Sequence, residues 1–337
     1  MANPPYYLIL DSNIWIAERM LRSALGSAML FAVSKSGATI ALPEVVQLEV
    51  SHKIAEQGAN AIEAAEKSIG FLRQLTQQKV SAWVPSEESV RDAIGRRWED
   101  LSGTLQPMPL TIEHSKAGLN RIIKKLPPCN ANNEQFRDSC IWQCALELSD
   151  IKPVYLISND HAFYEGGRKR ENGLANELQV ELDARGRKVK LYPDLGSFLS
   201  AIGGAKTLGD KTVEELVVAA VTSKSKEVAE NPHGGASILG KITFSKITGY
   251  ATPRINVVAI SFTATYRISS VKDYAKIEKI THALLTVTGS ASFDPQSNSV
   301  TDVSFQEWSK RLQGTEGTVW HAPSYKEQLL GCDFQAL

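Results

Sequence analysis

Four short acidic motifs stand in a fixed order in the first half of the chain. They are Leu-Asp-Ser-Asn around Asp11, Pro-Glu-Val-Val-Gln-Leu-Glu ending at Glu49, Arg-Asp-Ser-Cys-Ile-Trp around Asp138, and Ser-Asn-Asp ending at Asp160. One Asp or Glu near a strand end is an ordinary turn former or helix cap. Four that converge imply more. Carboxylate oxygen is the preferred ligand of hard divalent ions such as Mg²⁺ and Mn²⁺. One or two such ions can activate a water and stabilise the leaving oxygen of a phosphodiester. Asp11, Glu49, Asp138 and Asp160 are therefore the candidate catalytic and metal-ligating residues of a metal-dependent nuclease. Ser12, Asn13, Ser158 and Asn159 flank them as supporting groups that would orient the acids or bind metal waters.

Convergence requires particular elements. The apolar run Tyr6 to Leu10 reads as a strand buried on both faces, with Asp11 at its end. Ile14 to Val33 reads as one long helix that tolerates Gly26. Thr39 to Leu42 is a second strand. Pro43 sits in the first turn of a helix carrying Val45, Val46, Glu49 and Ile54. Ala59 to Leu75 is helical by propensity. Val80 to Val84 is a candidate strand, Glu87 to Asp100 and Ile112 to Lys125 are helices, and Gly103 to Pro109 is a loop between them. Leu126-Pro127-Pro128 ends the second of these helices, and Asn130 to Asn133 is loop-like. Gln135 to Leu148 is a helix. Val154 to Ile157 and Lys188 to Tyr192 are strands, and Leu195 to Ile202 is a short helix. Strands alternating with helices predict an α/β parallel sheet. Such sheets collect functional groups beyond the carboxyl ends of their strands, where Asp11 and Asp160 fall. Glu49 shares a helix face with Val45 and Val46, and Asp138 shares one with Ile141, Trp142 and Ala145. Both acids should therefore emerge toward the sheet. A carboxylate on such an inward stripe is costly unless a cation pairs with it.

The texture changes near residue 204. Thr212 to Val221 is one more helix, and Ser223 to Ala236 reads as a linker. Beyond it, Thr243 to Ile247, Ile255 to Ile268, His282 to Phe293 and Val300 to Phe305 are rich in Val, Ile, Thr and Tyr. The alternation of Ile260, Phe262, Ala264, Tyr266 and Ile268 against Ser261, Thr263, Thr265 and Arg267 predicts an antiparallel sheet with one covered face. The expected organisation is an α/β nuclease domain over 1–204, a helix and linker over 205–236, and a smaller β-rich α+β domain over 237–337, of unassigned role.

Bulk properties bound the rest. The chain has 337 residues, 43% of them hydrophobic, with zero formal net charge. Nucleic acid must then be held by local basic groups or by metal. Cys129, Cys140, Cys144 and Cys332 form no C-x-x-C pair, which argues against a zinc ribbon and fits a reducing compartment. The N-terminus lacks a signal-peptide pattern, and no apolar run approaches membrane length. The expected location is the cytoplasm, with no membrane partner.

The motifs and their order resemble those of the PIN-domain family over roughly residues 5–202. Leu-Asp-Ser-Asn resembles the first motif. Leu-Pro-Glu-Val-Val-Gln-Leu-Glu-Val resembles the second, with Glu49 rather than Glu44 at the metal position. Arg-Asp-Ser-Cys-Ile-Trp resembles the third, in the subgroup with Ile-Trp after the Asp. Val-Tyr-Leu-Ile-Ser-Asn-Asp resembles the fourth. The resemblance implies a Rossmann-like sheet and a Mg²⁺- or Mn²⁺-dependent endoribonuclease, in a toxin, RNA-processing or defence role. The span 67–128 is longer than in compact PIN toxins, and the region after 205 has no counterpart in them. The implied substrate is RNA, with single-stranded DNA as an alternative. A regulatory protein and a homo-oligomer paired through an exposed sheet edge are possible partners.

Other residues are open to two readings. Asp160 also suits a helix cap, and Glu49 an i,i+4 pair with Lys53. Arg168, Lys169 and Arg170 lie just after Asp160 and either hold substrate phosphates or line a solvated loop. Arg137 either neutralises the acids, contacts a phosphate, or is solvated. Arg121, Lys124 and Lys125 read as the outer face of a helix. His52, His114 and His161 lack ligand spacing and read as surface or capping residues, with His161, next to Asp160, open also to contact with substrate. Trp15, Phe136 and Trp142 read as core. Gly166-Gly167 lacks the context of a nucleotide-binding loop. Two competing functions are a phosphatase of the haloacid-dehalogenase type and a catalytically idle PIN-like scaffold. The phosphatase motif needs a second acid where Asn13 stands.

Overall fold

The computed structural model describes residues 5–130, 132–167, 173–206, 211–230, 237–253, 257–271, 280–314 and 319–321. The chain divides into two compact units: Met1–Met20 with Leu30–Ile202, and Leu21–Met29 with Gly203–Leu337.

The first unit is built on five parallel strands: β1 (Tyr7–Leu10), β2 (Thr39–Pro43), β3 (Leu105–Met108), β4 (Val154–Ile157) and β5 (Val189–Tyr192), in the order β3-β2-β1-β4-β5. Helices flank the sheet, as its alternating pattern required. β1 is central and wholly buried, which explains its unbroken apolar run. The chain builds outward from β1 to β2 and β3, then returns to β1's other side with β4 and β5. The crevice at this reversal opens at the carboxyl ends of β1 and β4.

The helices depart from expectation in instructive places. Ile14 to Val33 is not one helix. α1 (Ser12–Ala17) ends, the backbone turns left-handed at Arg19, Met20 and Leu21, and α2 (Ala24–Ser36) begins. Gly26 is required there rather than tolerated, because a Cβ would lie 2.5 Å from the Leu21 Cα. Pro43 ends β2 and caps α3 (Glu44–Thr76) from outside its first turn. α3 is one continuous 33-residue helix.

Val80 to Val84 is not a strand. Its segment forms no strand pairing among the described residues, and Arg73 Nε holds the Val80 carbonyl at 2.7 Å. Conversely, the expected loop from Gly103 contains β3. Pro107 lacks an N–H, and its edge position tolerates that loss. The long span 67–128 thus supplies a strand as well as α4 (Glu87–Leu101) and α5 (Ile112–Lys124). α6 (Phe136–Ser149) follows the expected bounds closely. α7 (Asn176–Ala184) had no counterpart in the sequence reading, although Leu178 and Leu182 form a buried i,i+4 pair. α8 (Leu195–Ala201) closes the series.

The second unit contains a six-stranded sheet ordered β11-β10-β9-β8-β7-β6, with antiparallel pairings throughout. Its strands are β6 (Ala205–Lys206), β7 (Ser237–Ala251), β8 (Val258–Val271), β9 (Ile280–Asp294), β10 (Ser299–Gly314) and β11 (Val319–His321). Ile260, Phe262, Ala264, Tyr266 and Ile268 are buried against Val217 and Val221 of α9 (Lys211–Glu230), as the alternation predicted. α9 runs through most of the expected linker. Lys224 explains part of this, since its ammonium bonds the Val303 carbonyl at 3.0 Å and lies over the Phe305 ring. Residues 231–236 and Cys332 lie outside the described residues. Among the described residues no helix is long and apolar enough to cross a membrane.

Candidate metal centre

Asp11 follows directly from β1, and its N–H donates to the Ile157 carbonyl at the end of β4 at 2.9 Å. It caps α1, with one carboxylate oxygen accepting from Ser12 N at 2.6 Å. The other oxygen accepts from Asn13 Nδ2 at 2.9 Å and from Ser158 Oγ at 2.5 Å. Ser158 is wholly buried, and its hydroxyl also accepts from Asp160 N at 3.0 Å. One hydroxyl thus joins the first motif to the fourth, donating to Asp11 and accepting from the Asp160 backbone. Tyr164 completes the arrangement, its hydroxyl donating to the Ser158 carbonyl at 2.7 Å. Nothing in the sequence marked Tyr164. Asp160 does act as a cap, accepting from Ala162 N at 2.8 Å through one oxygen.

Glu49 and Asp138 arrive from helices. Val46 and Val50 bury one side of α3, and Glu49 beside them is partly buried. Glu49 Oε2 accepts from Ser12 Oγ at 2.8 Å, and Oε1 is ion-paired with Arg137. Lys53 pairs with Glu56 at 2.9 Å and not with Glu49. Asp138 lies in the first turn of α6 and is buried on the same stripe as Ile141, Trp142 and Ala145. Among the described residues no donor is hydrogen-bonded to its carboxylate.

Asp11 and Asp138 both respond to the charges of the neighbouring acids. Burial lifts Asp11 to about 6, against the bonds from Ser158 and Ser12, and the charges of Asp160 and Glu49 add to the rise. Burial lifts Asp138 further, to about 8, reinforced by Asp11, Asp160 and Glu49 and opposed by Arg137. At about 8 the Asp138 carboxyl holds its proton at neutral pH unless a further cation compensates it, whereas Asp11 at about 6 is mostly ionised there.

A hard divalent ion fits the donor set in type and charge. Asn13 Oδ1 is buried without a hydrogen-bond partner among the described residues, while its amide nitrogen is fixed by Asp11. That leaves an acceptor beside the acids, suited to a hydrated cation. The acids are not drawn into a closed chelate. Among the described residues no three His, Cys, Asp or Glu side chains form a ready metal-binding group. The reason is visible in the bonds above: Asp11, Glu49 and Asp160 are each turned onto local donors. Ser158→Ala should raise the Asp11 pKa further and weaken Mn²⁺ binding about tenfold or more, read by calorimetry at pH 7. Unchanged Mn²⁺ affinity would remove Ser158 from the site.

The remaining expected residues divide. Asn159 and His161 stay beside the fourth motif, whereas Arg168, Lys169 and Arg170 lie outside the described residues. Arg121 is not on an outer face. It is buried, bonded to the Pro127 carbonyl at 2.6 Å and ion-paired with Glu181, which also accepts from Trp142 Nε1 at 3.0 Å. Lys124 and Lys125 are exposed. His114 is likewise buried rather than superficial, with Nε2 at 3.0 Å from Glu147. Its sequence signal was the helical periodicity of α5, on which Gly118 and Arg121 share its buried face. Trp15 and Trp142 are core, and Phe136 packs on Gly118.

Residues 8–163 match the family model described as PIN domain. No curated protein and no solved structure is similar enough to count as a match. PIN domains are typically nucleases and generally use divalent metals. The segment that carries all four acids is therefore similar to the PIN-domain family over residues 8–163.

Proposed function

We propose that the protein is a metal-dependent endoribonuclease that hydrolyses RNA phosphodiester bonds at the crevice between β1 and β4. The observation that carries this reading is the convergence of Asp11, Glu49, Asp138 and Asp160 from four separate segments, with Ser12 joining Glu49 to the first motif, Ser158 joining Asp11 to the fourth, and the charges of Glu49 and Asp160 acting on both Asp11 and Asp138. A buried cluster of like charges is costly in a fold that does not use it. Asp11, Glu49, Asp138 and Asp160 would hold Mg²⁺ or Mn²⁺, which when bound supplies activation of water and charge stabilisation at phosphorus. Ser158 and Asn13 orient Asp11, and Tyr164 holds the turn that carries Asp160. Arg137 and the basic run 168–170 would engage substrate phosphates. Such an activity suits a toxin or defence nuclease acting in the cytoplasm, under control of a protein partner.

An idle scaffold is the second reading, favoured by the absence of a closed chelating group among the described residues. Cleavage separates the two. Labelled single-stranded RNA and DNA are incubated with Mn²⁺, Mg²⁺ or EDTA, wild type beside Asp11→Asn. Metal-dependent RNA cutting that drops at least about a hundredfold in the variant is expected. Absence of cutting from folded protein under every metal would favour the scaffold.

A further inference from the structure

Arg137 adjoins Asp138 in sequence, yet its guanidinium reaches across to Glu49 of α3. Both oxygens of Glu49 are thereby engaged, one by Arg137 and the other by Ser12 Oγ. The arginine also acts on Asp138, opposing the rise that burial imposes there. One cation therefore serves the acids of the second and third motifs together. It approaches from solvent, with a side chain 58% exposed against 21% for Glu49. An ion pair this exposed is weakly held. The long, flexible side chain can leave Glu49 without any movement of α6.

Resting on the acid-cluster reading above, we propose that Arg137 is a displaceable counter-ion. It neutralises Glu49 in the metal-free protein and competes with a divalent cation for that carboxylate. Once displaced, it presents its guanidinium to a phosphate of the substrate. A divalent ion carries twice the charge and binds carboxylate oxygen directly, so it wins the competition at a moderate concentration. The released guanidinium is a planar fork that matches phosphate oxygens in pairs. Its root beside Asp138 keeps it at the edge of the acid cluster. Metal loading and substrate capture are then linked through one side chain.

The test is titration of the purified full chain with Mn²⁺ by calorimetry, for wild type, Arg137→Gln, Arg137→Lys and Asp11→Asn. Circular dichroism verifies the fold of each. Arg137→Gln is expected to bind Mn²⁺ about three- to fivefold tighter than wild type, because its competitor is gone. Arg137→Lys should fall between them. At saturating Mn²⁺, Arg137→Gln should raise the KM for single-stranded RNA about tenfold, with a smaller change in kcat. Mn²⁺ affinity that is unchanged or weaker in folded Arg137→Gln overturns the competition, and tighter Mn²⁺ with unchanged KM overturns the phosphate contact. Wild-type protein whose Mn²⁺ binding is nil, or is not reduced by Asp11→Asn, overturns the acid-cluster reading itself.

Discussion

Asp138→Asn is expected to reduce RNA cleavage to below about one-hundredth of wild type while raising the melting temperature of the metal-free protein. The two effects have one origin. Burial and the charges of Asp11 and Asp160 lift the Asp138 pKa from 3.8 to about 8. The folded state therefore keeps a proton that the unfolded state releases within that window. Metal-free stability must fall as pH rises from about 4 to about 8, because the folded form binds more protons there. An amide keeps the volume and removes the ionisation. With the repulsion shared between Asp138 and its neighbours, the variant should gain about 1–3 kcal/mol near pH 8, or about 3–10 °C. Near pH 4 the two proteins should melt together. Scanning calorimetry in EDTA across this range gives the answer. A difference independent of pH would mean that the Asp138 charge is not what costs stability, and near-wild-type cutting would remove the residue from the site.

Saturating Mn²⁺ should stabilise wild type by about 2.7 kcal/mol when present at about a hundred times its dissociation constant. That corresponds to a rise in melting temperature of about 5–10 °C. EDTA should reverse it, and Asp11→Asn should lose most of it. The effect should also grow between pH 5 and pH 8. Asp11 at about 6 and Asp138 at about 8 must surrender protons before they can hold a cation. A melting temperature indifferent to Mn²⁺ at pH 8 would leave the scaffold as the better reading.

Much of the first unit was legible because its signals are local. β1 announces itself as an unbroken apolar run, and α6 by the shared stripe of Asp138, Ile141, Trp142 and Ala145. The order of the four acidic motifs was enough to suggest the family. Elements decided by distant partners were not legible. β3 is a strand because β2 offers an open edge, although Pro107 argues against pairing. Val80 to Val84 has strand-forming residues and, among the described residues, no strand to pair with. The break between α1 and α2 depends on the close approach of Leu21 to Gly26, which helical periodicity does not report. Arg121 looked solvated because Glu181, its partner, lies on a helix that the sequence reading lacked.

The same division holds for the site. The sequence by itself determined which acids lie at strand ends and which lie on inward helix faces, since both follow from short-range periodicity. Only the tertiary structure decided what each acid touches. Ser158 bridging Asp11 to the Asp160 backbone, Tyr164 holding Ser158, and Arg137 occupying Glu49 all join residues from different elements or turns. The burial that raises Asp11 and Asp138 is likewise a property of the packed sheet and helices, because desolvation depends on what surrounds a carboxylate in space.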